Sequence, residues 1–341
     1  MPHRTFLAFV LPSMVAMLLF IALPVASVLV QSFYVQHDKV LVEVETCGPF
    51  DCTKEMRVDP DATQKLRQEQ PLGKFNGLGT YLDHNHLASS EVGDIVRQAP
   101  DRTTAFGQVL SLPFYRALTF TLAYTFVVTP LAMALGFVIA LAVVGLPGHL
   151  KGAVIYFSLL PMIVTPLIGS LIFYWMINSQ GIIGASLQAA FDDPRLSLKS
   201  SALLTWITLF VYGIWTNAPF SFVVFYAGLQ TVPADRIESA MIDGASAWER
   251  VRYITIPHLA PLATFVALVQ LMDNFRVLEP IVGLNAQANA TSLSFNIYTD
   301  LHGQVEQLFG SAAATSMLTI LGVALLLTPV LFKAWREFKL K

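Results

Sequence analysis

Charge is what this chain has least of. Over 341 residues, Asp, Glu, Lys and Arg make up 13%, against 55% hydrophobic residues and a mean hydropathy of +0.59. That balance excludes the pair of soluble domains that the length alone would suggest. A net charge of −2 leaves no basic footprint for nucleic acid. Two cysteines, Cys47 and Cys52, are too few for a disulfide scaffold. No G-x-x-x-x-G-K-[ST] loop is present, so the chain has no phosphate cradle of its own with which to hydrolyse ATP. No nucleophile or metal constellation stands out, so neither catalytic residues nor a metal site is expected.

Long uncharged runs are abundant. Six reach or exceed the roughly 20 apolar residues that a bilayer core requires: about 6–30, 117–144, 153–177, 201–229, 259–282 and 308–332. The first has no small-x-small cleavage site at its end and reads as a retained span, not a signal peptide. Pro130, Pro161, Pro166 and Pro219 fall inside spans, where broken or kinked helices are tolerated if protein or a cavity satisfies the freed backbone groups. Short-loop basic residues set the orientation. With the N-terminus inside, the inner side holds Arg4, Lys151, Arg236, Arg250, Arg252, Lys333, Arg336, Lys339 and Lys341, while the outer short loops hold only Arg195 and Lys199. Both termini are therefore expected in the cytoplasm. The long segment 34–113, with twelve acids and eight bases, is expected outside as a small solvated cap. There Cys47 and Cys52, spaced C-x4-C around Gly48-Pro49, are a disulfide candidate in an oxidising compartment.

One inner loop is built unlike the rest. Between the uncharged runs 201–229 and 259–272 lie Asp235, Arg236, Glu238, Asp243, Glu249, Arg250 and Arg252. Pro233 with Asp235 and Glu238 predicts a capped helix to about Asp243, and Gly244 permits a left-handed end. Ser246 and Glu249 predict a second capped helix stopping before Pro257. A helix lying on the membrane usually has a Lys/Arg-rich polar face. The mixed signs here, beside Ala240, Met241, Ala245 and Trp248, point to a protein partner.

The stretch resembles the cytoplasmic EAA signature of binding-protein-dependent ABC import permeases. Glu238-Ser239-Ala240, Gly244 and Ile254-Thr255-Ile256-Pro257 fall on that pattern, with Ser239, Val251 and Ile256 departing from it. The surrounding "AGLQTVPADRIESAMIDGASAWERVRYITIPHLAP", "LLPMIVTPLIGSLIFYWMINSQG" and "GLNAQANATSLSFNIYTDLHG" resemble the carbohydrate-importing branch, from about Phe114 to the C-terminus. The resemblance implies an all-α integral membrane protein with six transmembrane helices, of the type I importer permease kind. Its organisation would be a first helix at 1–33, a periplasmic insertion at 34–113, and a five-helix core at 114–341 carrying a coupling loop at 231–258. It implies that Glu238, Ser239, Ala240, Asp243, Gly244, Ala245 and Trp248 dock a separate ATPase, with ATP and Mg held there and no cofactor on this chain. The implied partners are a second homologous permease in a heterodimer, two ATPase subunits, a periplasmic solute-binding protein, a sugar, polyol or glycoside as solute, and the lipid of the inner membrane.

Charges deep in the apolar core mark solute pathways by default. Asp273, Arg276 and Glu279 fall three apart, so one helix would let Arg276 pair with both acids. Gln270 and Asn274 extend that side, and Asn217 offers an amide in span four. Of these six, Gln270, Asn274 and Asn217 are expected to face the path, with Arg276 held between its acids as scaffold. Trp206, Trp215 and Tyr226 in span four, and Tyr174, Trp175 and Asn178 at the outer end of span three, are candidates for anchoring or for stacking on a sugar. An ion-gradient carrier using the 273–279 stripe as its coupling site is the alternative reading.

Overall fold

The computed structural model describes residues 3–47, 52–303 and 307–339. In chain order it contains α1 (His3–Met17), a π-turn (Leu18–Ala22), α2 (Leu23–Gln31), β1 (Tyr34–Val35), β2 (Leu41–Cys47), β3 (Cys52–Val58), α3 (Pro60–Glu69) and β4 (Lys74–Phe75). Next come α4 (Gly79–Leu82), α5 (Ser89–Gln98), α6 (Arg102–Ser111), α7 (Pro113–Gly145), α8 (Gly148–Ile163), α9 (Pro166–Ile177), α10 (Ile182–Phe191) and α11 (Ala202–Leu229). The chain continues through α12 (Ala234–Ile242), α13 (Ala247–Arg250), a second π-turn (Val251–Thr255), α14 (Ile256–Phe275), α15 (Glu279–Gly283), α16 (Leu293–Leu301) and α17 (Phe309–Lys339). By length and composition, six helical segments among the described residues can cross a membrane: Phe9–Gln31, Pro113–Gly145, Pro166–Phe191, Ala202–Leu229, Ala247–Phe275 and Phe309–Arg336.

Prolines decide where the spans bend or break. Pro24 and Pro257 each follow a π-turn, in which Leu23 N–H donates to Leu18 O and Ile256 N–H to Val251 O. A proline cannot donate to the carbonyl four back and crowds it, and the wider turn makes room without ending the helix. The second helix of the charged loop therefore does not stop before Pro257. It runs through the π-turn into α14. Pro166 has the opposite effect. Val164 and Thr165 are extended, with ψ of 128° and 142°, as steric pressure on a residue before proline favours. The expected single span at 153–177 is thus two helices, α8 and α9. Tyr212 Oη donates to Pro166 O at 2.7 Å and satisfies a carbonyl at the break. The expected span at 259–282 is also shorter, because α14 ends at Phe275.

The chain divides into two compact units. The first joins Met1–Tyr115 with Asn296–Ile320. In it β2 and β3 form an antiparallel hairpin, with Leu41 opposite Val58 and Cys47 opposite Cys52. The side chains of that cysteine pair lie outside the described residues, as do residues 48–51 between them. Asp59 caps α3 by accepting from Asp61 N and Ala62 N, both at 3.0 Å. His86 is fully buried between the insertion and the start of α17. Its Nδ1 lies 2.6 Å from Asp83 Oδ1, and its Nε2 lies 3.2 Å from Ser311 O and 3.1 Å from Thr315 Oγ1. Burial pulls the His86 pKa down, but the hydrogen bond and charge of Asp83, the Ser311 carbonyl and the Asp300 charge outweigh it, so the net shift is upward.

The second unit joins Arg116–Phe295 with Leu321–Lys341. Lipid is as apolar as leucine, so its helices are held by close packing and by hydrogen bonds between helices. A Cβ on Gly136 of α7 would lie 2.5 Å from Ser221 Cβ on α11, so only glycine allows that approach. Gly228 of α11 similarly packs under Leu259 and Leu262 of α14. Phe120, Tyr124, Val128, Leu209, Ile281 and Leu284 form one buried cluster; Phe222, Phe225, Leu259 and Val266 form another.

Candidate functional site

Two of the places in the second unit where charge interrupts apolar chain are candidate sites. The first is the 231–258 loop. Its opening helix, α12, starts after Pro233, whose side chain caps nothing, and Asp235 lies in the first turn. The expected Asp235/Glu238 capping box is therefore absent, because the helix begins before Asp235 can act as its cap. Ser239 Oγ instead donates to Asp235 O at 2.8 Å and closes on its own helix. Gly244 has a φ of +82°, and Ala245 N–H returns to Ala240 O at 2.9 Å, ending α12 in the left-handed manner. The second box does form. Ser246 N–H donates to Glu249 Oε2 at 2.7 Å, and Glu249 N–H donates to Ser246 Oγ at 3.3 Å. Glu238, Ser239, Asp243, Gly244 and Trp248 are exposed, with Ala240 and Ala245 half-buried. Ile242 is 87% exposed and Trp248 65%. An open groove of about 610 Å³ runs between Asp235, Ser239 and Asp243 on one side and Tyr253, Pro257 and His258 on the other.

The second is the end of span five. Here α14 stops at Phe275, Arg276 leaves the helix at φ −100° and ψ 25°, and α15 begins at Glu279. The three charges do not share a helix, and the expected triad is a pair: Arg276 Nη2 donates to Asp273 Oδ1 at 2.9 Å. Glu279 has no ion-pair partner among the described residues. Neither member of the pair is buried, with side-chain exposures of 56% for Arg276 and 52% for Asp273. They open onto a cavity of about 490 Å³ lined also by Tyr124, Pro166, Thr216, Asn217, Asn274 and Glu279. Asn217 Nδ2 is committed to Gly213 O at 2.8 Å, and Asn274 Nδ2 to Thr129 Oγ1 at 2.9 Å.

Gln270 is elsewhere. It is 2% exposed, and its Nε2 donates to Asn217 O at 3.0 Å and Ser221 Oγ at 2.8 Å, bracing α14 against α11. Its Oε1 is buried with no partner among the described residues. The expected division holds only in part: Asn217 and Asn274 line the cavity as expected, Gln270 braces the helices instead, and Asp273, Arg276 and Glu279 face the cavity as well. Ser170 Oγ donates to Glu279 O at 3.3 Å, and Gly283 lets α15 sit directly against Ser170, so the position of Glu279 is set by α9.

Sequence reasoning missed Tyr124, Pro166 and Thr216 on the cavity wall. Hydroxyls in uncharged helices give no sign of which neighbour they face. Tyr174 and Asn178 line a separate cavity of about 300 Å³, where Lys199 Nζ lies 4.5 Å over the Tyr174 ring. That ring is a platform for the chain's own ammonium. Burial lowers the Lys199 pKa. Trp206 Nε1 donates to Asn289 O at 3.1 Å and anchors the loop after α15.

Broken helices around a polar cavity and an exposed two-helix loop are the parts of a permease. Residues 110–335 match the family described as the binding-protein-dependent transport system inner membrane component. The chain belongs to this family. It is the transmembrane permease subunit of an importer, and nothing in the family supports the ion-gradient reading. It is 29% identical over 238 residues to the sn-glycerol-3-phosphate transport system permease protein UgpA of Rhizobium meliloti, covering 67% of this chain and 78% of that one. With the trehalose/maltose transport system permease protein MalF of Thermococcus litoralis it shares 29% identity, covering 54% and 64%. The fold matches a bacterial ABC transporter involved in import of the acidic polysaccharide alginate, with a TM-score of 0.60, 19% identity, and coverage of 80% of this chain and 95% of that one.

Proposed function

We propose that this permease translocates a sugar, polyol or glycoside delivered by a periplasmic binding protein. It would pair with a second homologous permease subunit and be driven by two ATPase subunits that hold ATP and Mg. The carrying observation is the 231–258 loop, where a left-handed Gly244 and a formed capping box rigidly present Ile242 and Trp248 to solvent. Large apolar side chains displayed on a well-capped, charged hairpin suit insertion into a protein groove. The excess of Lys and Arg on the same side as this loop supports a cytoplasmic position for it and for both termini, where ATP is. The carbohydrate reading draws on the trehalose/maltose relative and on a cavity walled by Tyr124, Thr216, Asn217 and Asn274, which suits a polyhydroxyl compound.

The test is reconstitution of the chain with its genomic neighbours in proteoliposomes. ATP hydrolysis should rise when the binding protein and a carbohydrate are added together, and radiolabelled sugar should accumulate only with ATP. Accumulation driven by a proton gradient, by this chain without an ATPase, would overturn the reading.

A further inference from the structure

The cavity at the end of span five carries an unbalanced charge. Asp273 and Arg276 satisfy each other at 2.9 Å, while the Glu279 carboxylate faces the same space with no ion-pair partner among the described residues. One cation stands against two carboxylates, so the formal charge of the wall is −1. The other polar lining groups, Tyr124, Thr216, Asn217 and Asn274, are neutral. Glu279 cannot easily retreat, because its own carbonyl accepts from Ser170 and α15 is seated against α9 through Gly283.

We infer that this cavity discriminates by charge through Glu279, accepting neutral or ammonium-bearing carbohydrates and rejecting those that carry a carboxylate or phosphate. The inference rests on the reading of the chain as a carbohydrate permease. Relatives by sequence and by fold are named for glycerol phosphate and for an acidic polysaccharide, so the sign of the solute cannot be carried over from them. Rejection by an uncompensated like charge is a direct route to specificity, since a neutral hydroxyl can accept a place beside a carboxylate and an anion cannot. At about 8 Å, between the dielectric of bulk water and that near a protein surface, one unit charge is worth roughly two- to thirtyfold in binding.

The experiment uses the assembled transporter in lipid nanodiscs without its binding protein, so that only the membrane site is read. Saturation-transfer NMR titrations compare trehalose, protonated glucosamine, glucuronate and glycerol 3-phosphate. Wild type should bind trehalose and glucosamine more tightly than either anion. Glu279→Gln should raise the glucuronate-to-trehalose affinity ratio by about three- to tenfold. Asp273→Asn, which frees Arg276 and neutralises the wall by a second route, should move the ratio the same way and stands in if Glu279→Gln does not assemble. Anions binding as well as trehalose to wild type, or a ratio unmoved by both variants, would overturn the inference and leave the carbohydrate reading intact. Saturable binding by none of the four would overturn the carbohydrate reading and the charge selection with it.

Discussion

The 231–258 loop and the 273–283 segment both put charge into an oily chain, yet they are assembled by different rules. In the loop every feature is local. Ser246 and Glu249 cap each other across three residues, and Gly244 takes a φ that other residues avoid. At the end of span five little is local. Asp273 and Arg276 pair within one turn, but the cavity they face exists because α9, α11 and α14 bring Pro166, Asn217 and Asn274 together. Spacing therefore reads further in the first region, where Gly244 and the Ser246–Glu249 box form although the Asp235/Glu238 box does not, than in the second, where Asp273 and Arg276 pair but Glu279 does not join them.

The comparison can be broken most sharply at Gly244. Gly244→Pro demands a φ near about −65° where the loop holds +82°, so uptake should fall by at least about tenfold at unchanged subunit level in the membrane. A Cβ at this position meets nothing within 4 Å, so the loss would come from backbone shape and from the Gly244 N–H bond to Met241 O at 3.1 Å, not from a side-chain clash. Wild-type uptake at normal expression would mean the turn is not needed for coupling.

Gln270→Leu tests the other region. Removing two donor contacts between α14 and α11 should cost about 1 kcal/mol, seen as a lower melting temperature in detergent, with solute preference unchanged. A changed preference at full stability would put Gln270 back on the path.

Ser246→Ala removes a local cap worth about 1 kcal/mol and should reduce coupled ATP hydrolysis modestly, by about twofold. A deficit as deep as that of Gly244→Pro would mean that the box is a partner contact as well as a cap.

The smallest expected effect is one of pH, in the first unit. His86 has acceptors at both ring nitrogens, which suits the imidazolium with both N–H groups donating. Its folded pKa lies above the ordinary value of 6.5. The stabilisation is therefore fully present below that ordinary value and is lost as pH rises through the raised one. Amide exchange around Asp83–Ala88, corrected for its intrinsic pH dependence, should accelerate over that window, and Asp83→Asn should remove the pH step. A flat profile in wild type would show that His86 is held neutral.

Legibility follows sequence distance. The six apolar runs, the left-handed Gly244 and the Ser246–Glu249 box depend on neighbours a few residues apart, and hydropathy, spacing and the signature motif reveal them. Pro166 and Pro257 show the limit of local reading. Both sit in apolar helix, but one follows two extended residues and the other follows a π-turn that keeps the helix going. Gln270 shows a deeper limit. An amide in a span can brace helices or face a solute, and its sequence neighbours are the same in either case.

By itself, then, the sequence determined that this chain lives in a membrane, roughly where it crosses, and that one loop between spans is a charged pair of short helices. These depend on composition and on backbone preferences that act within a turn or two. Tertiary structure decided which polar groups meet a cavity and which meet each other. The last helix of span five ends at Phe275, before either Arg276 or Glu279, and Ser221 Oγ stands 2.8 Å from Gln270 Nε2, so one charge is left for the cavity while one amide is withdrawn from it. In an apolar medium a polar side chain goes to whichever polar partner packing brings within reach, and packing is a property of the whole bundle.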